Sequence, residues 1–407
     1  MSRIKVKNFG PIKEGCLEND GWIDIEKVTV FIGNQGSGKS TIAKLISTLV
    51  WMEKALVRGE LKTEDLDHFV KFQDHIAYHN IGTYIKPNSE ISYEGEAYSI
   101  FITASNLILI HKIEGKKYSL PKIMYIPDGR AFVFLENNSI FEKKTRDYFY
   151  DFLEEFENAK NELKKPLDLP IGEIRLDTLP NKLLYLTDKS KKRNYLLNLA
   201  NASSGFQSYV PLYLVSQYLA NSIGKKYNKD VTALTRAEEI RISNKDLSSE
   251  NRKSELKSLS SRFRPSCFIN IVEEPEQNLF PTSQKNILFS LLEFNNYTEA
   301  NKLIITTHSP YIINYLSTAI QAAYLKNKID VSDVHHDEDI KKLNAIVPLK
   351  SVVDAKDVVI YQMDEKNGTI KRLPSYEGIP SDKNYLNEML ADGNHIFDAL
   401  LELEETI

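Results

Sequence analysis

The chain has 407 residues, 42% hydrophobic and 27% charged, with 17 Gly, 15 Pro and a formal net charge of −4. This excludes fibrous, collagen-like and wholly disordered classes, leaves enough chain for two or three structural units around a large core, and gives nucleic acid no global attraction. Cys16 and Cys267 are the only cysteines and lie far apart, which argues against a disulfide framework or a Cys-based zinc site; no run of about 18 apolar residues or secretion-type leader is present, so no membrane association and a cytoplasmic location are expected.

Residues 1–32 read as strands, with Ile4 and Val6, then Ile23, Ile25, Val28, Val30 and Ile32 alternating with other residues around turns at Gly10-Pro11 and Asn19-Asp20-Gly21. From Lys39 the period is helical, since Ile42, Leu45, Ile46, Leu49 and Val50 fall on one stripe. Residues 91–135 return to strand-like runs and predict a β-subdomain. Residues 137–200 are highly charged and broken by Pro166, Pro170 and Pro180, and are expected to form a helical lobe, continued by a helix from about Tyr209. Residues 221–265 carry 11 Lys/Arg against 6 Asp/Glu with little apolar periodicity, which reads as an insert. Apolar runs at 267–272 and 302–306, a helix length apart, predict a βαβ unit of a buried parallel sheet. Residues 330–407 hold 8 Lys/Arg against 17 Asp/Glu and form an acidic extension, with a hairpin turn at Asn367-Gly368. His335, His336, Asp337, Glu338 and Asp339 are metal-ligand types in no standard zinc spacing, and read as an exposed acidic loop. The expected division is 1–136, 137–265 and 266–407, without internal repeats or long heptad runs.

Gly33, Asn34, Gln35, Gly36, Ser37, Gly38, Lys39, Ser40 and Thr41 fit G-x-x-x-x-G-K-[ST] between a predicted strand and a predicted helix. Glycines there let consecutive N–H groups curl around a phosphate, Lys39 reaches the β- and γ-phosphates, and the Ser40 hydroxyl is a ligand for Mg²⁺. The strand at 268–272 ends in Glu273 and Glu274, an arrangement in which Glu273 serves the metal and Glu274 orients the attacking water. His308 closes the strand at 304–307, where it can report the γ-phosphate. Ser203, Ser204, Gly205 and Gln207 open the helix at about Tyr209; a Ser N-cap is the plain reading, and an anion site for a nucleotide held by a second subunit is the functional one.

Phosphate loop, Ser-Ser-Gly signature, acidic strand end and switch histidine, in this order, resemble the ABC-type ATPase heads of the SMC and RecF group. Glu-Glu-Pro-Glu-x-x-Leu-x-Pro at 273–281 and Thr-Thr-His-Ser-Pro at 306–310 look like the stand-alone AAA ATPases related to overcoming-lysogenization-defect proteins. That branch includes ATPases of PARIS, Septu and retron-linked anti-phage systems, with the PARIS type nearest. Tyr125-Ile126-Pro127-Asp128-Gly129-Arg130 resembles another element of the branch and carries Arg130 over as a near-site residue. The resemblance implies an α/β P-loop NTPase, an ABC-ATPase head with a β-subdomain and an inserted helical lobe. It further implies ATP (adenine on this ground alone) and Mg²⁺ as cofactors, dimers of heads or higher oligomers, and a protein effector such as a TOPRIM nuclease. The sequence departs from transporter heads at Glu273, where Asp is usual, and at Ala202 and Ser204, where Leu and Gly are usual. Asn278 stands for the loop after the acidic strand and Gln73 for the glutamine after the first helix.

Two functions compete. In one, ATP joins two heads through Lys39 of one chain and Ser203 of the other, and hydrolysis alters affinity for an effector. In the other, residues 221–265 and Lys191-Lys192-Arg193 contact DNA in repair or maintenance, a partner the first reading does not require. About 100 residues follow His308, too few for a TOPRIM domain, so the chain is not expected to be the nuclease itself.

Overall fold

The computed structural model describes residues 2–63, 69–103, 108–115, 118–134, 147–179, 183–189, 196–223, 265–331 and 336–405. The first part of the chain forms β1 (Ser2–Lys7), β2 (Gly15–Cys16), β3 (Trp22–Ile25), β4 (Val28–Gly33), α1 (Lys39–Arg58), α2 (Phe69–Ala77), β5 (Glu90–Glu94), β6 (Tyr98–Ile102), β7 (Ile108–Lys112) and β8 (Pro121–Ile126). There follow α3 (Tyr148–Glu162), β9 (Leu167–Asp168), β10 (Ile174–Thr178), β11 (Leu184–Asp188), β12 (Leu196–Asn198) and α4 (Ser204–Ser222). The last part gives β13 (Cys267–Glu273), α5 (Pro281–Asn295), β14 (Lys302–Thr307), α6 (Pro310–Val331), α7 (His336–Ile346), β15 (Val358–Asp364), β16 (Thr369–Arg372), β17 (Ser375–Tyr376), β18 (Ile379–Pro380) and α8 (Tyr385–Glu404).

A seven-stranded sheet of order β2-β16-β15-β4-β14-β13-β8 organises the molecule. β8, β13, β14, β4 and β15 are mutually parallel, and β16 runs antiparallel to β15. Its central strands are buried on both faces, which explains their nearly continuous apolar runs. Val28, Val30 and Ile32 join Phe268, Val272, Leu303 and Ile305 in a core with α3, α4, α5 and α6. Phe31, Ile269, Ile271 and Ile304 point the other way, into a core shared with α1 and a five-stranded antiparallel sheet of order β3-β1-β5-β6-β7. Helix α1 is thus enclosed between two sheets, and its buried side chains run around most of its surface.

The expected β-subdomain is this antiparallel sheet, with one correction. The run at 122–126 leaves it as β8 and pairs parallel with β13, because Met124 and Ile126 pack in the α3–α6 core. A second correction concerns the expected helical lobe. Residues 167–198 contribute a four-stranded antiparallel sheet of order β12-β11-β10-β9. Leu176 and Leu186 are its buried register partners, while Arg175 reaches across the strand pair to Asp168 at 2.7 Å; these charges on the outer face hide a period of two. Third, Asp337, Glu338 and Asp339 form the first turn of α7 instead of a loop, where acids suit the positive end of the helix. The hairpin at Asn367-Gly368 is present between β15 and β16, with Gly368 at φ 61. Most of the 221–265 segment and Lys191, Lys192 and Arg193 lie outside the described residues.

Glu53 of α1 is buried under the antiparallel sheet and accepts from the Tyr93 hydroxyl (2.7 Å), the Ala97 amide (2.7 Å) and the Tyr98 amide (3.2 Å). Burial pushes its carboxyl up, and these three donors oppose that rise. Glu53→Ala leaves the donors without a partner and should cost about 3 kcal/mol of stability. Urea denaturation checks this, and a loss below about 0.5 kcal/mol would show that water replaces the carboxylate.

Candidate nucleotide-binding site

At the C-terminal edge of the large sheet the register aligns Ile32 of β4 with Thr307 of β14, and Thr306 of β14 with Glu273 of β13. The phosphate loop, His308 and the two glutamates therefore leave adjacent strands at one edge, the place where open α/β sheets bind ligands. The loop follows β4 directly. Gly33 lies at φ 148, and a Cβ there would meet the Met363 carbonyl oxygen at 2.3 Å. Gly38, at φ 99, starts α1.

Lys39 is buried, and its ammonium donates to the carbonyls of Gly33 (3.0 Å) and Asn34 (2.9 Å). Burial lowers its pKa to about 8, opposed by the charges of Glu274, Glu276, Glu273 and Glu365. The Asn34 side chain accepts from the Gln35 amide at 2.8 Å and donates to Glu365 at 3.2 Å, which fixes the loop's outer turn. Ser37 Oγ is buried and has no hydrogen-bond partner among the described residues. Ser40 is exposed on the first turn of α1, and Thr41 is buried.

Glu273 is buried at the end of β13. Glu274 adopts φ 43, a left-handed conformation that costs a residue with a side chain about 1 kcal/mol or more. Its amide donates to the Thr306 carbonyl at 2.8 Å and its own carbonyl accepts from Arg130 at 2.7 Å, so both sides of the strained residue are held. This conformation turns the carboxylate out of the strand toward His308, whose Nε2 lies 3.3 Å from Glu274 Oε1. The His308 hydrogen bond, aided by the charges of Lys39 and Arg130, holds the Glu274 carboxyl below the usual carboxylate range against the effect of burial.

Arg130 is fully buried beneath the site. Its guanidinium donates to the carbonyls of Pro127 (3.1 Å), Ser208 (3.0 Å), Glu273 (2.9 Å) and Glu274 (2.7 Å). It is a bracket behind the glutamates, joining β8, β13 and α4. Burial brings its pKa to about 10, countered by Glu276, Asp128, Glu274 and Glu273.

Glu276 was not singled out by the sequence, yet its Oε1 accepts from the Thr307 hydroxyl (2.8 Å) and the His308 amide (2.7 Å). Ser309 extends the network by donating to Gln284 of α5 at 2.6 Å. The fourth residue of Glu-Glu-Pro-Glu was the available signal: an acid three residues beyond a strand end is within reach of the neighbouring strand's loop. Burial pushes its carboxyl up.

Ser203 and Ser204 are exposed at the start of α4, and among the described residues no side chain caps that helix. Gly205 admits the Asn278 carbonyl, which would stand 3.0 Å from a Cβ. Gln207 donates to its own chain at the Ala200 carbonyl (2.6 Å), and Asn278, at φ 60, donates to Ser208 (3.0 Å). Both therefore shape the start of α4. Gln73 is half-buried on α2, and among the described residues no hydrogen bond joins it to Ser40 or Glu273.

The donor set suits Mg²⁺ brought in with a polyphosphate: Ser40 offers a hydroxyl and Glu273 a single carboxylate, while no group of three or more His, Cys, Asp or Glu that could hold a metal occurs among the described residues. Among the described residues, no helix is long and apolar enough to cross a membrane.

Two outcomes follow from this geometry. Arg130→Met, of similar length, removes four hydrogen bonds and should cost at least about 3 kcal/mol, read as a lower urea midpoint, and should abolish ATP turnover by releasing Glu274. Full turnover in the variant would show that the bracket does not position Glu274. Because a polyphosphate needs Lys39 charged, and Lys39 loses its proton above about 8, the affinity for ATP should fall as pH rises from 7 to 9.5. Isothermal titration at several pH values tests this, with net proton uptake on binding above pH 8; a flat profile refutes it.

Residues 28–314 match a family model described as "AAA domain, putative AbiEii toxin, Type IV TA system". No curated protein matches the chain. Among solved structures it is similar to the SMC head domain from Thermotoga maritima, at 11% identity and TM-score 0.39, covering 92% of this chain and 98% of that one. It is also similar to the Smc head domain with an extended coiled coil bound to the C-terminal domain of ScpA from Pyrococcus furiosus, at 10% identity and TM-score 0.39, with coverages of 98% and 100%. A third is the ADP conformation of an ATP-binding cassette of an ABC transporter, at 12% identity and TM-score 0.30, with 93% of both chains covered. The family match runs from β4 through its phosphate loop and both glutamates to the residues just beyond His308, and the chain belongs to this AAA-domain family of P-loop ATPases.

Proposed function

We propose that this protein is a Mg²⁺-dependent ATP hydrolase acting as a nucleotide-driven switch, which assembles head to head and controls a partner effector in bacterial anti-phage defence. The single observation carrying the hydrolytic part is the ionised Glu274 held 3.3 Å from His308 at the sheet edge next to the phosphate loop. In this reading Lys39 and the loop amides bind the β- and γ-phosphates, and Ser40 with Glu273 would hold Mg²⁺. The ion supplies positive charge against the charge developing on the transferred phosphoryl group. Glu274 orients and deprotonates the attacking water, while His308 fixes its carboxylate and senses the γ-phosphate. Ser203, Ser204 and the amides at the start of α4 face the γ-phosphate of a second head.

The family description names a putative toxin and a type IV TA system. The effector class in this reading is a nuclease such as a TOPRIM protein, and the setting is the cytoplasm. The DNA-maintenance alternative relies on basic segments outside the described residues, and no observation favours it.

Glu274→Gln should lower kcat by at least about a hundredfold while leaving ATP binding intact, since it removes the base but keeps the size of the side chain. Light scattering should then show the variant trapped as a dimer or larger assembly with ATP and Mg²⁺, without DNA. Normal turnover in the variant sinks the hydrolytic assignment, and assembly only on double-stranded DNA transfers the protein to the maintenance reading.

A further inference from the structure

The last helix, α8, carries an apolar stripe that no other element among the described residues covers. Leu386 is buried at its root, but Leu390, Ile396, Phe397 and Leu400 are 61%, 57%, 61% and 58% exposed. These residues and Met389 recur at i, i+3, i+4 spacing, the pattern of a helix built to bury one face. Gly393 lies on the same stripe, with nothing within 4 Å of where its Cβ would stand. A glycine inside a helix costs about 1 kcal/mol relative to alanine, and no contact among the described residues offsets it. A notch at that point suits close approach of another backbone.

Charge selects the occupant. Glu388, Asp392, Asp398 and Glu402 lie off the stripe, Glu404 and Glu405 stand at the end of the helix, and residues 384–407 contain no Lys or Arg. Two copies of α8 side by side would bring like charges together. An anionic lipid surface or a nucleic acid would be repelled for the same reason. What fits is an apolar surface flanked by cations.

The root of the helix lies beside the nucleotide loop. Asn384 caps it by accepting from the Leu386 and Asn387 amides, each at 3.1 Å, and the Tyr385 amide donates to Gln362 of β15 at 2.9 Å. Glu365 Oε1 accepts from Asn34 of the phosphate loop at 3.2 Å and stands 3.5 Å from the Tyr385 hydroxyl.

We propose that α8 is a docking helix for a protein partner that presents an apolar surface bordered by Lys and Arg. This deepens the effector-switch reading and rests on it only for calling the partner an effector. As a test, the full chain is titrated at physiological salt into a labelled synthetic amphipathic helix with Leu on one face and Lys flanking it, and into a counterpart with Glu at each Lys. The Lys peptide should bind, with the Glu peptide at least about tenfold weaker. Phe397→Ser with Leu400→Ser should weaken the Lys peptide at least about tenfold, while Tm and basal ATP hydrolysis stay at wild-type values. Equal binding of the two peptides, no binding, or an unaffected double variant overturns the proposal. A wild-type dimer without nucleotide that the double variant converts to monomer overturns it in favour of a second copy, and capture on phosphatidylglycerol vesicles lost in the variant overturns it in favour of a membrane. ATP hydrolysis in the same samples reports the switch reading separately: docking without hydrolysis leaves this proposal standing and removes that one.

Discussion

The buried guanidinium of Arg130 is the contact on which the site depends. Carbonyls at the end of β8, at the end of β13 and in the first turns of α4 converge on it, and five N–H donors in a rigid plane can satisfy all of them. No single backbone or amide donor could do so. A buried cation without a direct ion pair is costly, and four carbonyl oxygens with several acids nearby make it tolerable. Through this one group the acidic strand end and α4 have a fixed relation, and the left-handed turn at Glu274 is held in place.

A second layer of hydrogen bonds organises the edge from the other side. Glu276 takes the Thr307 hydroxyl and the His308 amide, and Ser309 passes the connection to Gln284 of α5. The loops after β13 and β14 thus behave as one unit, with His308 and Glu274 facing each other across it. Lys39 completes the electrostatics. Its partial desolvation and the surrounding carboxylates act in opposite directions, leaving an ammonium whose proton is only moderately held.

The same sheet edge links chemistry to the outside of the molecule. Glu365, just past β15, touches the phosphate loop through Asn34 and lies next to the root of α8 through Tyr385. An acidic helix with an uncovered apolar stripe therefore starts within one residue of the loop's hydrogen-bond shell. The opposite end of the large sheet is closed by buried groups such as Glu53, whose partners are all within the antiparallel sheet and its turns.

Local chemistry alone determined a good deal. The phosphate loop, the acidic end of β13 and His308 were legible because each couples a motif to an apolar run, and a strand buried on both faces has few other ways to read. The turn at Asn367-Gly368 and the stripe of α1 were legible for similar reasons. Tertiary structure decided what depends on distant partners. β8 reads like its antiparallel neighbours, and only the cores on either side of β13 draw it into the parallel sheet. The strands β9–β12 hid behind surface charges whose cross-strand pairing, as in Arg175 with Asp168, no local pattern displays. Arg130 was named from its motif, but its role comes from carbonyls up to 144 residues away. Gln207 was read as part of the Ser-Ser-Gly segment, yet its side-chain amide donates to the Ala200 carbonyl. Residue type and spacing encode which groups can do chemistry; which of them remain available for it is settled only when the folded chain has satisfied its own hydrogen bonds.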